Sequence, residues 1–124
     1  MEKRLATKDD WPNKPLPEKH TRIEWGHVFS LEEFARISQG SIPEDMEEKW
    51  FVYYEQPWLY IHRSWTGFCI FMVRFEPTDE STERGIKGVE ILASREPEQY
   101  ASLGDSSDLG IVRSLIRMLL GFPF

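Results

Sequence analysis

Cysteine is almost missing from this sequence. Cys69 stands alone, which excludes an internal disulfide and any metal cage built from several thiolates. It falls in an apolar strand pattern and reads as a core thiol of a reducing compartment, so a cytoplasmic location is expected. Long apolar runs are missing as well. None approaches the roughly 18 residues of a membrane span, and the opening MEKRLATKDDWPNKPLP lacks the apolar stretch of a signal peptide. No membrane association is expected.

Basic clusters are the third absence. The formal net charge is −6, and an acidic chain without a basic patch lacks the electrostatic footprint of a nucleic-acid binder. Such a chain suits a basic partner instead. There is no glycine-rich phosphate loop, no serine elbow and no internal repeat. His20, His27 and His62 share no metal-ligand spacing, so neither a metal nor a cofactor is expected.

What is abundant is aromatic side chain, 14% of 124 residues, with five Trp and eight Phe. That length suits one domain, 1–124, whose first 20 residues form an extended arm. Pro12, Pro15 and Pro17 oppose a helix there, and Trp11 is the residue suited to pin the arm to the body. A short strand is possible from Arg22 to His27. Ser30-Leu31-Glu32-Glu33 is a capping box that starts a helix ending at Gly40. Strands are expected over Lys49–Glu55, Trp58–Arg63, Phe68–Glu76 and Gly88–Ser94, joined by short links. Gln56-Pro57 makes the first link a tight turn, and the polar EPTDESTERG, 76–85, reads as a loop or hairpin tip. Asp105, Ser106, Ser107 and Asp108 offer N-caps for a final helix. Leu109, Val112, Ile116 and Leu119 make its apolar stripe, Arg113 and Arg117 share its polar strip, and Gly121 ends it. Phe122-Pro123-Phe124 is expected to fold back onto the core. The fold class is α+β: a four-stranded antiparallel meander with an N-terminal and a C-terminal helix packed on it.

Alternation sorts the hairpin side chains into two faces. Phe51, Tyr53, Leu59, Ile61, Cys69, Phe71, Val73 and Phe75 read as core. Trp50, Tyr54, Trp58, Tyr60, His62, Phe68, Ile70, Met72 and Arg74 fall opposite, where a meander is ordinarily polar. That second face is a core layer under the Ser30 helix and the arm, a protein-partner or homodimer surface, or a small-molecule pocket.

The segment His62-Arg63-Ser64-Trp65-Thr66-Gly67 carries the densest set of functional groups. Arg63 offers a fork, Ser64 and Thr66 offer hydroxyls, and together with His62 they suit an anionic small molecule. The same residues equally suit a plain hairpin turn, with Gly67 at positive φ and Trp65 packing. A Cys69–His62 nucleophile pair is disfavoured, because their strand positions point to opposite faces.

The stretch KWFVYYEQPWLYIHRSWTGFCIFMVRFE, Lys49–Glu76, resembles a family of small bacterial proteins with a tryptophan-rich strand pair and an HRSWTG turn. No activity is assigned to that family. The resemblance also points, through chains with ADP-ribose-processing domains, to a nucleotide-derived ligand. Three readings therefore stand: a non-catalytic binding domain, an enzyme or receptor for a phosphorylated or nucleotide-derived small molecule, or a purely structural accessory domain with no site. Trp58, Tyr60, His62, Arg63, Ser64, Trp65, Thr66 and Arg74 are the candidate site residues.

Overall fold

The computed structural model describes residues 5–45, 47–80 and 83–121, with the side chains of 79, 80, 83 and 84 left aside. The fold is α+β, with five antiparallel strands and two helices: β1 (His20–Phe29), α1 (Leu31–Gln39), β2 (Trp50–Glu55), β3 (Trp58–Arg63), β4 (Cys69–Glu80), β5 (Glu83–Ser94) and α2 (Asp105–Leu119). The sheet order is β1-β5-β4-β3-β2. The expected four-stranded meander is thus corrected to five, because the N-terminal strand runs ten residues and pairs along β5. The stretch 76–85 is strand at both ends, with Glu76 opposite Lys87 and Thr78 opposite Gly85. Its tip, 81–82, and the Phe122–Phe124 fold-back lie outside the described residues.

Both helices lie on one face. Ile37 of α1 joins Val112, Leu115, Ile116 and Leu119 of α2 in a cluster with Leu59, Ile61, Phe71, Val73 and Ile91. Phe34 meets Tyr54 and Phe75 edge-on at 5.1 Å, and the Arg36 guanidinium donates to the Leu120 carbonyl. The Ser30–Glu33 box caps α1 in both directions, at 2.9 and 3.0 Å. Helix α2 begins instead at Gly104, with no side-chain cap. Asp108 is taken by tertiary partners: Arg95 at 2.8 Å, Ser102 at 2.8 Å and the Tyr100 hydroxyl.

The other face carries the N-terminal arm. Ala6 N–H donates to the Gln39 carbonyl, Trp11 Nε1–H to Ser64, and Lys14 N–H to Gly67. Ala6, Trp11 and Ile42 thereby pack over Phe51 and Tyr53 as a second, smaller cluster. At the sheet edge, Ser41 exchanges two backbone hydrogen bonds with Val52.

The hairpin register redraws the two faces. Gln56 and Pro57, joined by a cis peptide, are the whole turn, so Glu55 opposes Trp58, Tyr53 opposes Tyr60 and Phe51 opposes His62. Directly opposed residues share a face. Phe51 and Tyr53 therefore lie on the arm face, while Trp50 and Tyr54 turn to the helices and pack with the main core. A second shift follows: Ile61 opposes Phe71 but His62 opposes Cys69, which leaves Ile70 as the bulged extra residue. Ile70 joins the helix-side core, and Cys69 comes to the same face as His62.

Candidate functional site

The structure brings three of the eight expected site residues together. Trp58, Tyr60 and Arg74 share the arm face: Tyr60 packs at the border of the arm-side cluster, stacked on Tyr53 at 4.8 Å, and Trp58 and Arg74 lie past it. Cross-strand pairing extends them into two rows: Tyr60–Met72–Leu92–Arg22, and Trp58–Arg74–Glu90–Glu24. Trp58, Met72 and Leu92 are half-buried and belong to neither hydrophobic cluster. Arg22 and Glu24 were hidden from the hairpin reading because they arrive from β1, which only the five-stranded order sets beside β5; Leu92 and Glu90 lie on β5, the strand the expected meander already placed next to β4.

A charged ladder borders this open half. Arg22 reaches Glu90 at 2.9 Å and Glu24 at 3.2 Å; Arg74 reaches Glu90 at 3.3 Å and also pairs with Glu76. Glu90, 14% exposed at its side chain, sits between the two guanidinium groups. Burial alone would raise its carboxyl, but the hydrogen bonds from Arg22 and Arg74 outweigh that and hold it below the ordinary value. Counting Glu55 at the end of β2, four carboxylates face two guanidinium groups, so this surface is acidic.

The other five expected residues form no single site. His62 is 1% exposed beneath the arm, stacked on Tyr53 at 5.6 Å and 13°. Its Nδ1–H donates to the Gly67 carbonyl at 3.0 Å, and Nε2 has no hydrogen-bond partner among the described residues. Burial lowers its pKa below 6.5, partly opposed by the Gly67 bond. Arg63 points through the opposite face, its guanidinium 5.2 Å from the Trp50 ring. One ligand cannot meet both Arg63 and His62. The Ser64 hydroxyl donates to the Glu48 carbonyl at 2.7 Å, and Thr66 Oγ1 accepts from Phe68 N–H. Trp65, 62% exposed, marks the tip of the turn.

The HRSWTG turn is therefore mainly the socket of the arm. Gly67 has φ 77°, and a Cβ there would come within 3.0 Å of the Pro12 carbonyl oxygen. Cys69 and His62 do share a face, contrary to the alternation argument, because the Ile70 bulge turns Cys69 over. Chemistry between them is opposed by burial instead. Cys69 is sealed, its thiol is pushed up to about 12 by desolvation, and it donates to the Phe71 carbonyl.

A cleft of about 410 Å³ lies on the helix side, between β1, the first turn of α1 and the C-terminal half of α2. Trp25, His27 and Phe29 form one wall, and Arg113, Arg117 and Glu33 border the opening. The sequence held the pieces, Trp25-Gly26-His27 at a strand end and Arg113/Arg117 on a helix strip, without a signal that they converge. Among the described residues, no three His, Cys, Asp or Glu side chains gather into a metal site, and no helix is long and apolar enough to cross a membrane. No family model, curated protein or solved structure matches the chain.

Proposed function

We propose that this protein is a non-catalytic binding domain that presents the open half of its arm face to a protein partner with a basic contact surface. The observation that supports this most directly is the patch itself. Trp58, Met72 and Leu92 stand outside both cores, Tyr60 joins them to the arm-side cluster, and Trp, Tyr, Met and Arg are the residue types enriched at interfaces. The Arg22–Glu90–Arg74 ladder holds the rim in a fixed arrangement, and its excess of carboxylates favours cations in the partner. The unpaired, buried Cys69 fits a reducing cytoplasm. The eight expected residues then divide: Trp58, Tyr60 and Arg74 contact the partner, and the five from His62 to Thr66 belong to the turn that holds the arm limiting the patch.

The test is affinity purification from the native host with wild type, Trp58→Ala/Met72→Glu and Arg113→Ala, each checked first by analytical ultracentrifugation. Wild type and Arg113→Ala should retain one stoichiometric partner that the double variant loses. A monomer that retains none, or retention unchanged by the double variant, removes this reading. A wild-type dimer broken by the double variant would replace the basic partner with a second copy of the chain.

A further inference from the structure

The helix-side cleft carries an inference independent of the sheet patch. We infer that it binds a small phosphate monoester bearing a flat ring, the ring against Trp25 and His27 and the phosphate against Arg113 and Arg117.

The wall is built. Trp25 and Gly26 oppose Val89 alone in a bulge of β1, after which His27 opposes Gly88. The Trp25 ring rests on Gly88, where a Cβ would come within 2.5 Å of it. Trp25 and His27 are then 5.9 Å apart and only 17° from parallel, while Phe29 closes the row edge-on to Trp25. A flat, partly solvated π surface of this kind suits an aromatic ring. The cavity, about 410 Å³, lies within the range of small-molecule sites.

The rim supplies the charge. Arg113 and Arg117 are one helical turn apart, about 6 Å along the axis. An arginine in the last turn of a helix, as Arg117 is, ordinarily complements the dipole, and a mid-helix one such as Arg113 ordinarily stays solvated. Here, however, they border a cavity. Arg113 has no hydrogen-bond or ion-pair partner among the described residues, and Glu33 is already bound to Ser30 N–H through Oε1. Residues 109–124 hold both arginines and no acid, in a chain of net charge −6. Two forks a turn apart match the several oxygens of a phosphate dianion better than the two of a carboxylate.

Titration calorimetry and ¹H–¹⁵N NMR with phenyl phosphate, AMP, adenosine, benzoate and inorganic phosphate would test this. The phosphate esters should bind, with shifts at the Trp25 indole N–H and at His27. Adenosine, benzoate and inorganic phosphate should each bind at least about tenfold more weakly, and Arg113→Ala should weaken the esters about tenfold without altering the fold. His27→Ala should weaken the esters but not inorganic phosphate. The inference is overturned by no ester binding, by affinity unchanged in Arg113→Ala, or by shifts gathered at Trp58 and Tyr60.

Discussion

Trp11 and Ser64 are joined across 53 residues of sequence: the indole Nε1–H donates to the Ser64 carbonyl at 2.8 Å. This bond fixes the arm where it covers the Tyr60–Tyr53–His62 ring stack. Trp11→Ala should lower stability by about 2 kcal/mol, combining lost packing with a lost hydrogen bond. Urea denaturation measures the loss. Thiol labelling of Cys69, very slow in wild type, should accelerate as the arm detaches.

Gly67→Ala acts on the same contact from the other side. A Cβ at φ 77° strains the turn and presses on Pro12, at a cost of about 1–3 kcal/mol. Because both substitutions loosen one arm, the Trp11→Ala/Gly67→Ala pair should cost less than the sum of the two single losses. Strict additivity in a double-mutant cycle would show that the turn and arm are not coupled.

His62 gives the protein an acid-side slope. Its folded pKa lies below 6.5, so in that interval the unfolded chain binds a proton that the folded one refuses. Stability should therefore fall as pH drops below about 6.5 and level off once the folded value is passed. His62→Gln should flatten that limb in urea titrations. Cys69 works at the other end: a thiol raised from 9.0 to about 12 makes stability fall as pH rises through that range. Cys69→Ala should shallow the alkaline limb.

Asp108 is fully buried and bound by Arg95, Tyr100 and Ser102. Asp108→Ala would leave Arg95 without its buried partner and release the 95–104 segment, at a cost of about 3 kcal/mol. Asp105, exposed and also paired with Arg95, is the control: Asp105→Ala should change stability by less than about 1 kcal/mol. Thermal unfolding of the two variants distinguishes them directly.

The α1 box was legible because all its partners lie within four residues. The hairpin faces were legible in principle. A two-residue turn at Gln56-Pro57 makes opposed residues sum to an odd number, which puts Phe51 with His62 and Tyr53 with Tyr60. What no local pattern carried was the bulge at Ile70, set by packing on both sides of β4. The start of α2 was obscured for a related reason. Asp108 looks like an N-cap until Arg95, Tyr100 and Ser102 are brought to it from outside the helix. Of the site, the aromatic row on β3 could be read and the meander carried it to β5, but its continuation to Arg22 depended on β1 pairing with β5. Arg113 and Trp25 come to line one cleft only once α2 lies on the sheet face that carries Trp25.

The Ser41–Val52 bridge bears on how any partner arrives. Midway along β2, the outward-facing donor and acceptor of Val52 are already used. An incoming strand would find no continuous row of free backbone groups there, and the bulge at Trp25-Gly26 interrupts the opposite border. Sheet extension, the route shared by strand-adding receptors and fibrils, is thus hindered at both margins. Recognition is left to side chains, which makes it selective by shape and charge, and self-templated stacking is disfavoured from the outset.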